Sequence, residues 1–326
     1  LTAVDGISLA ANVTSSGVTT IDADQNNDGT GDLAISDTAV LSTGGNTLDI
    51  TANDLDLNAS GQINSGAAAT TIRVSDGGTI GLGDTAGGMT ISGTELQNIT
   101  ATGLTVGDAA NGNITVDNIT AANSNNIAGI LTLNAIGAGA AVAFQNNAST
   151  FNALMVNGAN GITASVGLNA DTGGITLNNA VTPAGNVEIN TATGGGDILF
   201  NSTVDMAGFD LTVNAGSAGD VVLSDALSGT GALAITGGTI AVNAAVNTGS
   251  ALTLTASEGV SLAANVTAGG VTTIDADQDD DSSGTLAIAD TATLSTSGNT
   301  LDITANDLDL NTSGQMNSGA ASTTIK

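Results

Sequence analysis

A chain of 326 residues with 45 Gly, one Pro, 41% apolar residues, four Phe and no Trp or Tyr is tested first as a repeat architecture rather than as two globular domains. Its net charge of −29 sets 31 acids against Arg73 and Lys326, which excludes nucleic-acid and anionic-headgroup partners, since these are bound by basic residues that neutralise phosphate. The lack of Cys removes disulfides, thiolate chemistry and Cys-based zinc sites.

Residues 1–73 open with short apolar alternations, at Leu33 and Ile35, Leu48 and Ile50, and Leu55 and Leu57, bounded by Gly, Asn, Asp and Ser. That is the strand-and-turn signature. Between a strand at 18–23 and the one at Leu33 lies an acidic loop, where Asp24, Asn26, Asp28, Gly29, Thr30 and Asp32 follow the opening of a calcium loop. Oxygen ligands alternate there and Gly permits the sharp turn, with the Thr30 carbonyl at position seven and Asp32 at position nine. Ile35 stands where an EF-hand needs its bidentate Glu and the flanks are strands, so an EF-hand is excluded.

The same grammar continues at Ile80 and Leu82, Met89 and Ile91, Leu104 and Val106, Ile114 and Val116, Leu131 and Leu133, and Val142 and Phe144. No helical periodicity and no helical cap is expected. No run of 18 apolar residues exists: the nearest, residues 130–144, is interrupted by Thr132 and Asn134 and diluted by Gly137 and Gly139, so no membrane insertion is expected in this segment.

From residue 175 the register sharpens. Ile175, Ile198, Val221, Ile240 and Val260 form one series and Val187, Leu211, Leu233, Leu252 and Val271 a second, each member following the last by roughly 19–24 residues. Two or three short strands in a period of about that length is what a parallel β-solenoid requires, each coil hydrogen-bonding to the next about 4.8 Å away. Aliphatic ladders fill its inside, and Asn178, Asn190, Asn201, Asn214 and Asn243 stand at corners where amides can stack. Pro183 falls between strand segments, where a missing N–H is tolerable.

Residues 254–326 then repeat residues 1–73 at a constant offset of 253 without a gap, differing at 17 positions. The expectation is one continuous solenoid over residues 1–326, with residues 1–253 one full tandem unit of on the order of 12 coils and 60 Å. On this reading the chain is an excerpt from a tandem array, and 254–326 starts its next unit. The copied loop carries Asp277, Asp279, Asp280 and Asp281 but lacks the Gly, so calcium is a candidate ligand at both loops.

The Gly-rich strings at 175–178 (Ile-Thr-Leu-Asn) and 211–214 (Leu-Thr-Val-Asn), with the run at 243–255, resemble the repeat regions of filamentous-haemagglutinin-like exoproteins and related giant bacterial surface adhesins. The resemblance covers the whole chain in style and carries no catalytic motif. It implies a right-handed parallel β-helix, exported through an outer-membrane partner and displayed outside the cell as a fibre.

No enzyme is expected. With no His, Cys or Tyr, acid–base work would rest on Asp and Glu, and acids such as Asp84, Asp108, Asp171, Asp197 and Asp220 are spread through turns as solvated corner charges. A carbohydrate-active β-helix enzyme, the rival class, would need a groove with facing carboxylates and a basic residue. The expected role is a structural rod, as adhesin stalk or surface filament, or a self-assembling layer, sheath or matrix; its partners are tandem copies in the same chain and possible lateral neighbours.

Overall fold

An aliphatic residue facing inward on either side of a polar residue facing outward makes a three-residue strand, as at Ile162–Ala164, Leu168–Ala170 and Ile175–Leu177 of the computed structural model. The structure describes residues 1–326. All sheets are parallel, the chain makes about 14 turns of roughly 22 residues, and 3% of it is helical: the fold is a β-solenoid. Two compact units divide it, Leu1–Thr163 and Ala164–Lys326.

In the first unit one ladder runs Ile21, Ile50, Ile72, Val106, Leu133, Val156, each residue paired with the next and all fully buried. Its steps are uneven. Those from Ile21 to Ile50, from Ile72 to Val106 and from Val106 to Leu133 are the longest, and each has a visible cause. The first carries the acidic loop. The second carries a helical turn, Gly93–Gln97, and the third another, Ala121–Ser124.

These two turns correct the expectation of no helix. Ser92 Oγ accepts the Glu95 N–H at 3.2 Å while Glu95 Oε2 accepts the Ser92 N–H at 2.8 Å, a reciprocal capping box; Thr120 and Asn123 form a second. A single turn is too short to print a 3.6-residue period, so the cap is its only mark in the sequence.

The second unit has three ladders. Ile175, Ile198, Val221, Ile240, Val260 and Leu286 form the first, as the spacing predicts. In the second, Val187, Leu211, Leu233 and Leu252 lead to Thr272, not to Val271. Val271 is 49% exposed and Thr272 fully buried, so strand pairing prevails over the apolar preference there. Val181, Val204, Leu227, Val246, Val266 and Leu294 make the third ladder, on strands of two or three residues. Pro183 ends one of these strands instead of separating two.

Leu233–Val242 and Leu252–Leu262 are each one continuous strand serving two ladders, with the register shifting between Gly237 and Thr239. Asn201 Nδ2 donates to Asn178 Oδ1 at 2.8 Å, the expected amide stack. Asn190 and Asn214 pair in register, but their side chains turn to Glu188 and to the Gly216 N–H of their own coils. Phe144, Phe151 and Phe200 are buried, whereas Phe209 is exposed.

Candidate functional site

Corner acids are less idle than solvated charges. Asp197 Oδ1 accepts the Asp220 N–H at 2.9 Å, and Asp220 Oδ1 accepts the Thr239 N–H at 2.9 Å. Asn186 Oδ1 likewise accepts from Asp210 N, and Asp210 Oδ1 from Ala232 N. Asp37 takes the amides of Ala59 and Ser60, and its copy Asp290 takes those of Thr312 and Ser313. A short acceptor side chain at a corner thus satisfies an amide of the following coil that strand pairing leaves free.

The first acidic loop leaves its coil after the strand Thr19–Asp22 and returns at Leu33–Ile35. Its neck is closed by Gly31, where a Cβ would lie on the Ala23 carbonyl oxygen; Gly284 faces Ala276 in the same way in the copy. Asp24 is fully buried and points into the loop. Its carboxylate accepts the N–H groups of Asp28 at 3.2 Å and Gly29 at 3.1 Å and the Ser75 hydroxyl at 2.6 Å. Burial alone would raise its pKa, but these bonds, led by Ser75, outweigh burial and hold the group below the ordinary carboxylate range.

The rest of the loop is exposed and internally paired. Asn26 Nδ2 donates to Asp28 Oδ2 at 2.7 Å, Thr30 Oγ1 to Asp28 Oδ1 at 2.6 Å, and Asn53 Nδ2 to Asp32 Oδ1 at 2.8 Å. Asp24, Asp28 and Asp32 do not converge on one point.

The copied loop is built differently. Carboxylate oxygens of Asp277, Asp279 and Asp281 lie within 4.8 Å of one another. Asp280 and Ser282 keep the positive φ values of Asn27 and Gly29, 54° and 76° against 51° and 76°, so the backbone path is retained although a serine stands in place of glycine. Asp279 replaces an amide donor with a third carboxylate. Asp281 Oδ1 accepts from the amide and hydroxyl of Ser283, whose hydroxyl also reaches Glu258 Oε2 at 3.4 Å.

Beside the first loop, a groove of about 410 Å³ is lined by Asn27, Arg73, Ser75, Asp76 and Asp108 among others. Here a basic residue does meet carboxylates: Arg73 lies 3.3 Å from Asp49 and 3.7 Å from Asp108. Both sit near the surface, on neighbouring coils joined through the Arg73 strand, so the guanidinium ties coils together rather than standing free for a ligand.

Two further buried or half-buried acids lie outside these loops. Asp117 would be raised by burial, but Asn146 and Asn147 donate to it and bring it below the usual range. Asp54 moves the other way: burial, with the charges of Asp32 and Asp56, raises it despite the amides of Thr90 and Leu55.

Sequence reasoning missed Ser75 and Asn53 as loop partners. Coil spacing was the available signal, because Asn53 and Ser75 follow the strands one and two coils on from the strand that Asp24 follows. No helix is long and apolar enough to cross a membrane. Comparison with protein-family models, curated proteins and solved structures finds no match for this chain.

Proposed function

We propose that the chain is a structural module, a length of rod in a larger fibrous protein made of tandem copies of the unit 1–253. The observation that carries this reading is coil phase: Ile21, Ile50 and Ile72 pair in sequence, and so do their copies Ile274, Ile303 and Ile325. A repeat that restarts in the same phase of the coil can be added again without a new kind of junction. The resemblance to filamentous-haemagglutinin-like repeat regions supports placing such a rod outside a bacterial cell, as the stalk of an adhesin or a surface filament.

Non-enzymatic work suits the chemistry available. The groove at Arg73 is the one place that meets the demand for a base beside carboxylates, and its base is engaged by Asp49 and Asp108. A second reading, lateral assembly into a layer or sheath, is favoured by Val18 and Val271, copies of one another, which stand 73% and 49% exposed.

Small-angle scattering on one and on two fused copies of the unit 1–253 tests the rod. The expected result is a cross-section unchanged and a length growing by about 60 Å per added unit, from about 12 coils at 4.8 Å. A globular particle, or two units folded back on each other, would refute it. Sedimentation at rising concentration separates the second reading, which requires association that Val18→Asp and Val271→Asp abolish.

A further inference from the structure

We propose that the loop at Asp277, Asp279 and Asp281 binds a single calcium ion, and that its counterpart at Asp24 does not. The cluster of three carboxylates within 4.8 Å is one observation. The second is independent: Asp277 is 7% exposed, and its buried Oδ1 has no hydrogen-bond partner. An ionised carboxylate oxygen buried without a donor is costly, and a cation held by the same three side chains removes that cost.

The counterpart shows what satisfaction without a metal looks like. Within its own loop Asp24 is met by the amides of Asp28 and Gly29, and Asn26 donates to Asp28. In the second loop the amides of Asp281 and Ser282 leave Asp277 Oδ1 unmet, and Asp279 has no proton to give Asp281. In one loop amides of the loop meet the buried carboxylate; in the other three carboxylates face one another, with Ser283 donating to Asp281 alone.

The donor set selects the ion. All ligands are carboxylate oxygens, which favours a hard cation over a softer transition metal. Two of the three acids are exposed and on a loop, giving an open, irregular sphere that waters and the neighbouring Glu258 can complete. Calcium tolerates such a sphere, whereas magnesium demands near-octahedral geometry and keeps its waters.

The experiment titrates the 326-residue chain with calcium chloride, with magnesium chloride at equal ionic strength as control. Calorimetry should give one ion per chain, with half-saturation at about 10⁻⁴–10⁻³ M, as expected of an open extracellular-type site. The melting temperature should rise by about 2 °C or more at saturating calcium. The exposed-site double variant Asp279→Asn/Asp281→Asn should lose both responses, and Asp28→Asn in the first loop should keep them. Fusing a copy of 74–253 after Lys326, which supplies a counterpart of Ser75 to the second loop, should keep them too. No calcium response beyond that of magnesium, one that survives Asp279→Asn/Asp281→Asn, or one that the fusion abolishes overturns the proposal.

Discussion

Asp24 and Asp277 occupy equivalent positions, yet their own loops give one carboxylate two amide donors and leave an oxygen of the other with none. The physical weight of such a residue lies in its partners. Asp24→Asn would turn an amide donor toward donors and should cost about 2–3 kcal/mol in chemical denaturation at pH 7, the scale of lost charged hydrogen bonds. Because the folded-state pKa values of Asp24 and Asp117 are lowered, their stabilisation is complete above the unfolded value near 3.9 and is lost as pH falls through the folded values. The gap between native protein and Asp24→Asn should therefore hold from pH 7 down to about pH 4 and close below it. A gap that stays constant to pH 2 would show that the charge at Asp24 contributes nothing. Asp54, raised in the folded state, works in the opposite sense and offsets part of this loss.

At the level of the coil, most of the architecture was written in a two-residue alternation. Ile175, Ile198, Val221, Ile240 and Val260 could be placed in register from spacing alone because each strand is a copy of the last and their steps stay nearly equal. What escaped were features whose signal is shorter than a period. Strands such as Val204–Asp205 are two residues long, and the turn Gly93–Gln97 shows only its cap. The candidate site was half legible: the acids could be read in order, but not that Asp24 would turn inward to Ser75 or that Asp277, Asp279 and Asp281 would draw together. Composition within the loop cannot report a partner two coils away. Its neck is more rigidly specified, since Gly31 abuts the Ala23 carbonyl oxygen. Gly31→Ala should force the neck open, lowering the melting temperature by several degrees and exposing 24–32 to limited proteolysis, while Gly17→Ala, which meets open space, should do neither.

Over the whole chain, 31 acids and two bases make self-repulsion the dominant electrostatic term. Several of those acids, among them Asp37, Asp197, Asp210 and Asp290, accept amides of the next coil, so part of the negative charge is a by-product of the way corners are satisfied. Added monovalent salt should raise the melting temperature steadily up to about 0.5 M as the Debye length falls to a few ångströms; a flat response in circular dichroism would place the repulsion equally in the unfolded chain. The bond from Asp24 to Ser75 passes over the coil that carries Asn53. Under tension applied at the N-terminal end, the turn ahead of Asp24, which pairs onto the next through Thr2 and Asp22, is free to peel first. The coil that carries Asp24 is then held by a tie to the coil two turns on as well as by stacking on its neighbour, so its detachment should demand more force than that of the turn before it.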